Sequence, residues 1–382
     1  MADETVDVVL RGPRMVSGGT EVTDGWVAIQ GTTIVATGTG QVPPTDRVVE
    51  ASGVIVPGFV DIHCHGGGGA AFADGPQATG TALQYHRRHG TTRTVMSLVT
   101  ASVPDLAAQV AALREVCVAD PLVLGLHLEG PYLSADHRGA HDESLLTTPT
   151  SRDVQTLLEA AQGYLVQITL APELPGAEEA IGQLRRAGVR VAVGHSAVDY
   201  EQAGAAFAAG GTILTHAFNA MAPIHHRAPG PVLAAAEQPE VMCEVINDGV
   251  HVHPAVVRLL HGLAGPRVVY VTDAMAAAGG ADGAYELGGL AVTVTDGVPR
   301  LDATGSIAGS TLTMDAAVRQ AVQIGIGLPQ AITAATSAPA RAIGMADRIG
   351  LLAPGYPADV VLLDADLQVE QVWGQGQVLA GV

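Results

Sequence analysis

The sequence predicts an α/β fold, a (β/α)8 TIM-type barrel with a second, smaller β-sandwich domain formed by both chain ends. Three observations carry this prediction. From about residue 54 to 344, apolar strand-like runs alternate with helical stretches, the pattern of strands each followed by a covering helix. Both chain ends instead read as short, polar β segments broken by turns. Five of the apolar runs finish in residues able to bind metal or move protons, and a barrel builds its site at the carboxyl ends of its strands.

Taken in order, residues 3–53 are punctuated by turn signals at Ser17-Gly18-Gly19, Asp24-Gly25 and Gly38-Thr39-Gly40. Their segments are too short and polar for barrel units. The matching half of the small domain is expected in 345–382, where Gly350 to Asp364 and Gln368 to Trp373 alternate and turn again. The domains are therefore read as 1–53 plus 345–382, and 54–344. Within the barrel, the run ending at His65 precedes a helical stretch at 78–89. Strand 91–100 precedes a helix at 104–118, and strand 122–129 one at 151–161. Further strands are expected near 165–171, 189–195, 211–217, 242–247 and 268–273. Residues 284–304, with alternating Leu290 to Val294 and the turn Asp296-Gly297, read as a hairpin inserted after the eighth strand.

Composition limits the function. The chain has 382 residues, 48% hydrophobic and 15% charged, enough for one large core and a smaller one. A formal charge of −19 repels nucleic acid and anionic membranes, so neither is expected as a partner. No stretch is long and apolar enough for a transmembrane helix. The opening Met1-Ala-Asp-Glu-Thr-Val-Asp7 is acidic and carries no basic, apolar leader pattern. Cys64, Cys117 and Cys243 are widely spaced and odd in number, which speaks against a disulfide framework and for a cytoplasmic location. Lysine is absent. No Schiff base can form, and no carbamylated lysine can bridge two metals.

The chemistry lies at the strand ends. In Pro57-Gly-Phe-Val-Asp-Ile-His63-Cys-His65-Gly, residues i and i+2 leave a strand on one face, so His63 and His65 can grip one ion while Cys64 packs away from it. Glu129, His195 and His216 end three other runs and offer imidazole and carboxylate ligands, a set that leaves one position for water. Asp273, ending the last strand, is a further ligand or a proton carrier. His86, His89, His137, His253 and His261 are read as surface or capping residues.

Several segments extend this pattern: His127-Leu-Glu129-Gly-Pro-Tyr, Arg138-Gly-Ala-His141, Ala171-Pro-Glu173, Gly194-His195-Ser196, Thr215-His216-Ala-Phe-Asn219-Ala220-Met221, His225-His226-Arg227-Ala-Pro-Gly230, Asp248-Gly249-Val250-His251, Thr272-Asp273-Ala-Met and Ala308-Gly309-Ser310. In these segments, and in their order, the chain resembles the N-acetylglucosamine-6-phosphate deacetylases of the amidohydrolase superfamily. The resemblance implies hydrolysis of N-acetyl-D-glucosamine 6-phosphate to D-glucosamine 6-phosphate and acetate, a step of amino sugar metabolism.

The resemblance also implies a divalent transition metal, one or two per chain, held by Glu129, His195 and His216. Zinc is the first choice, with iron, manganese or cobalt also compatible. His63 and His65 would hold a second ion sharing Glu129. Asp273 and His141 would be the catalytic pair, with Asp273 moving the proton and His141 polarising the amide carbonyl. Asn219, the backbone of Ala220, Arg227 and His251 would take the phosphate in a homodimer, His251 and Arg227 reaching the partner's site. Ala140, Asp248, Ser306, Ile307 and Ala308 would line the sugar site. Two alternatives are a dihydroorotase- or hydantoinase-like enzyme acting on a cyclic amide, which the absent lysine disfavours, and a non-catalytic scaffold, which the full ligand set disfavours.

Overall fold

The computed structural model describes residues 5–381, and its central element is an eight-stranded parallel sheet. Its strands are β1 (Phe59–Cys64), β2 (Thr91–Leu98), β3 (Val123–Glu129), β4 (Leu165–Leu170), β5 (Arg190–Val193), β6 (Gly211–Leu214), β7 (Met242–Val245) and β8 (Val268–Tyr270), each paired with its neighbours in chain order. Every residue of β1 and β2 is buried, as expected of strands covered on both faces. The ring nearly closes at the carboxyl end, where the Asp273 amide donates to the His63 carbonyl at 2.8 Å. The same hydrogen bond sets a residue beyond β8 beside the end of β1.

The helices start where short polar side chains can satisfy the first backbone amides. Ser102 caps Val103–Ala119 by accepting from the Asp105 amide, and Thr150 caps Ser151–Ala161 by accepting from the Asp153 amide. Val154, Leu157 and Ala161 then fall on the buried face of the second of these helices at helical spacing. The segment after β8 is a three-stranded antiparallel sheet, Gly283–Leu287, Leu290–Thr295 and Val298–Leu301. The expected hairpin has an additional strand because Leu287 pairs with Leu290 across a tight Gly288-Gly289 turn.

The two chain ends meet in one further eight-stranded sheet. Val360–Leu363 pairs antiparallel with Val54–Pro57, with Leu363 opposite Val54 and Val360 opposite Pro57. Leu10, Val27, Ile29, Ile34, Ile55, Leu362 and Trp373 form its core. Ser17-Gly18-Gly19 makes the expected turn into Thr20–Gln30. Asp24-Gly25 does not turn: the strand runs through it, with Asp24 at a left-handed φ of 51° and its carboxylate held 2.7 Å from the Arg11 guanidinium. Cα packing separates two compact units. Among the described residues, one holds 5–61, His86–Arg93 and 314–381; the other holds Ile62–Tyr85 and Thr94–Thr313. No helix among the described residues is long and apolar enough to cross a membrane.

A carboxylate ringed by imidazoles at the barrel mouth

Glu129, the last residue of β3, is 4% exposed and is met by five imidazoles. Its Oε1 lies 3.1 Å from Nε2 of both His195 and His216 and 3.4 Å from Nε2 of His63. Its Oε2 lies 3.1 Å from Nε2 of His65 and 3.4 Å from Nε2 of His141. Burial disfavours the charged carboxylate, but the surrounding imidazoles, His63 foremost, hold its pKa well below the ordinary value. Burial holds the His141 imidazole below its usual value.

The local backbone aims these groups. His195, His216 and Asp273 each follow a strand end with a left-handed φ, of 47°, 24° and 47°. Non-glycine residues adopt that region at a cost, and such strain persists only where the surroundings impose it. Neighbouring residues supply the imposition. Glu173 accepts from the Ser196 hydroxyl at 2.7 Å and the Ala197 amide at 2.6 Å, fixing the turn just after His195. The Ser310 amide donates to the Asp273 carbonyl at 2.7 Å, and its hydroxyl to the Thr272 carbonyl at 2.5 Å. Gly139, at a left-handed φ of 57°, suits a residue without a side chain, and a Cβ there would press to 3.1 Å from the His195 ring.

The donor atoms form two triangles, His195–His216–Glu129 and His63–His65–Asp273, and Glu129 also touches both histidines of the second. Nε2 of His195 and His216 are 3.0 Å apart and each is 3.1 Å from Glu129 Oε1. Nε2 of His63 and His65 are 3.2 Å apart and stand 3.5 Å and 3.2 Å from Asp273 Oδ1. Two imidazole nitrogens facing each other at such distances make at most one hydrogen bond. A tetrahedral ion with ligand bonds of about 2.05 Å separates its ligands by about 3.3 Å, close to both triangles. His63, His65, Glu129 and Asp273 form one cluster able to hold a metal ion, and Glu129, His141 and His195 another. The residues fit a metal.

Second partners orient several of the rings, as metal-binding histidines require. The His195 Nδ1 bonds the His137 carbonyl at 2.9 Å, and the His63 Nδ1 lies 3.3 Å from Glu244 Oε2. Gln167 donates to the other Glu244 oxygen at 2.9 Å. Nδ1 of His65 and of His216 are buried without a hydrogen-bond partner. The His141 Nδ1 lies 3.4 Å from the Thr100 backbone amide and 2.8 Å from its hydroxyl. A backbone N–H can only donate, so Nδ1 accepts and the ring proton sits on Nε2, facing the Glu129 side.

Above this floor opens a cavity of about 350 Å³. Ala140, His141, Asn219, Ala220, His251, Ser306 and Ile307 line it together with His65, Glu129, His195, His216 and Asp273. Other candidates from the sequence stand around it. Asp248 does not line the cavity but accepts from the His251 ring at 2.6 Å, fixing that imidazole; burial notwithstanding, this contact holds its pKa below the ordinary value. Ala308 is fully buried in the apolar cluster under the inserted sheet. His251 faces its own chain's cavity, whereas Arg227 is exposed outside it with its guanidinium 2.7 Å from the His226 ring.

Sequence reasoning also missed residues. Glu244 and Gln167 are wholly buried, and a glutamate inside the apolar run Val241 to Ile246 was the available signal. His137, read as a surface residue, lines the cavity, and His86 is 1% exposed.

A model of the amidohydrolase family matches residues 54–380. An N-acetylgalactosamine-6-phosphate deacetylase from Escherichia coli O157:H7 is 38% identical over 375 residues, covering 97% of this chain and 98% of that protein. An N-acetylglucosamine-6-phosphate deacetylase from Vibrio furnissii is 35% identical, covering 85% of this chain and 82% of its own length. Among solved structures, the N-acetyl-D-glucosamine-6-phosphate deacetylase of Mycobacterium smegmatis in complex with N-acetyl-D-glucosamine-6-phosphate superposes with a TM-score of 0.94 at 42% identity, over 98% of this chain and 100% of that one. The N-acetylglucosamine-6-phosphate deacetylase of Thermotoga maritima gives 0.89 at 30% identity over the same shares.

Proposed function

The chain belongs to the amidohydrolase family of metal-dependent hydrolases, and from that premise we propose that it deacetylates N-acetyl-D-glucosamine 6-phosphate to D-glucosamine 6-phosphate and acetate. The observation that carries this reading is the shared carboxylate: Glu129 touches both the His195–His216 and the His63–His65 pair in a cavity that Asn219, Ala220 and His251 also line.

In this reading Glu129, His195 and His216 hold the principal ion, and His63 and His65 a second one. Zinc suits the nitrogen and oxygen donors, as do iron, manganese and cobalt. When bound, the ion supplies a Lewis acid that polarises the amide carbonyl and makes water more acidic. Asp273 takes the proton of the attacking water as general base. The His141 Nε2–H donates to the carbonyl oxygen as negative charge builds there. Asp273 then returns the proton to the leaving amine. Asn219, the Ala220 amide and His251 receive the sugar phosphate, and Ala140, Ser306 and Ile307 border the sugar.

The test is acetate release from N-acetylglucosamine 6-phosphate, its galactosamine epimer and unphosphorylated N-acetylglucosamine. A buried charge-assisted contact left unmade costs roughly 2 to 5 kcal/mol, so the free sugar is expected to be the far poorer substrate. Equal efficiency with and without phosphate would overturn phosphate recognition. The epimer bears on the hexose alone, since one close relative is named for the galactosamine substrate.

We further propose a homodimer in which Arg227, exposed and outside its own chain's cavity, reaches the partner's phosphate. Arginine suits that task because its planar fork donates two hydrogen bonds at once. Asp273→Asn and Arg227→Ala chains unfolded and refolded together should then regain activity that neither has alone. Mixed dimers no more active than the separate variants would refute the shared site. The three free, buried cysteines support a cytoplasmic location, which cell fractionation would check.

A further inference from the structure

Three side chains, His65, Val99 and Leu287, line two cavities at once: the one over Glu129, and a second of about 480 Å³. The second cavity is also lined by Ala101 and Ala276 and by the polar Asp74, Gln109 and Glu286. His65 is a metal-ligand candidate, so the apolar partition is Val99 and Leu287. Val99 is half-buried just past β2 and packs with Leu287 in one apolar cluster. The Gly288 backbone lies close against it, since a Cβ on Gly288 would meet the Val99 Cγ2 at 2.8 Å.

The topology assigns this partition to one part of the substrate. Asn219 and Ala220 follow β6 and His251 follows β7, whereas Val99 follows β2, across the mouth of an eight-stranded ring. With the sugar phosphate on the β6–β7 side, the acyl carbon has three substituents to place. Its nitrogen leads back to the sugar, its oxygen faces His141, and its alkyl group is left pointing toward β1 and β2. There the surface is Val99 and Leu287.

We propose that Val99, with Leu287, sets the length of acyl group this enzyme removes, closing off a second cavity that has room for longer aliphatic N-acyl chains. The proposal rests on the deacetylase reading above and adds a specificity determinant to it. A pocket that stops at a methyl group discriminates against each extra methylene by about 10- to 200-fold. Wild-type enzyme should therefore lose efficiency sharply from N-acetyl- to N-propanoyl- to N-butanoyl-glucosamine 6-phosphate.

The experiment compares kcat/KM on these three substrates for wild type, Val99→Ala and Leu287→Ala. In Val99→Ala the butanoyl-to-acetyl ratio should rise by at least about tenfold, as up to two methylenes' worth of room opens. Adding Ala101→Leu to Val99→Ala refills the second cavity and should reverse the gain, which a general loosening of the site would not do. Leu287→Ala reads the same partition should Val99→Ala fail to fold. A ratio unchanged in a folded variant that still hydrolyses the acetyl substrate overturns the proposal. Failure of wild type to release acetate from N-acetylglucosamine 6-phosphate would instead overturn the deacetylase reading, so the two failures are distinct.

Discussion

Asp273→Asn is expected to lower turnover by about 10²- to 10⁴-fold, the usual loss when a general acid/base is removed, while substrate binding survives. The substitution keeps the size of the side chain and takes away its basicity. Asp273 is singled out by its surroundings: its amide is tied to the His63 carbonyl, its carbonyl to the Ser310 amide, and its Oδ1 lies 3.2 Å from the His65 Nε2. That anchoring sets Asp273 at the cavity, which it lines. Separate measurement of kcat and of substrate affinity decides the matter. Retention of more than about a tenth of turnover would make Asp273 structural only.

Glu129→Gln should be the most damaging substitution for metal content. A carboxylate touching both His195–His216 and His63–His65 contributes to both ion positions, so its neutral isostere weakens both together. Replacing even an outer partner of a metal ligand costs 10- to 100-fold in affinity, and loss of a shared ligand should exceed about 100-fold. Elemental analysis of wild-type protein purified without chelator should give between about one and two transition-metal ions per chain, one at Glu129, His195 and His216 and a second at His63 and His65. His195→Ala should remove the tighter ion, and Glu129→Gln should approach none. A readout independent of activity is thermal stability: ligand at about 100 times its Kd stabilises by about 2.7 kcal/mol, so added metal should raise the melting temperature of stripped wild type and not of Glu129→Gln. Full activity in rigorously metal-free protein would sink the mechanism.

Strand order and most of the groups that meet around Glu129 were legible in the sequence because both obey short-range rules. The alternation of apolar runs and capped helices specifies a parallel barrel, since strands covered on both faces must be apolar throughout. Strand ends are where such a run gives way to polar residues, so Glu129, His195, His216 and Asp273 stood out one by one. His63 and His65 stood out through their i, i+2 spacing.

Other features depended on distance in three dimensions. Nothing local joins Glu244 to His63, which lie 181 residues apart, or separates Asp248, which holds His251, from residues that face the cavity. The left-handed backbone at His195 and Asp273 is braced by hydrogen bonds made by Glu173 and Ser310, remote or following residues whose effect no periodicity reports. The side of the barrel on which Val99 sits opposite Asn219 and His251 is likewise set by ring closure. By itself, then, the sequence determined which elements form and which reactive groups end them, because hydrophobic periodicity and capping act within a few residues. Only the tertiary structure decided which of those groups meet, which merely support them and how large a substrate they admit, because closing the barrel brings together side chains that the chain itself holds far apart.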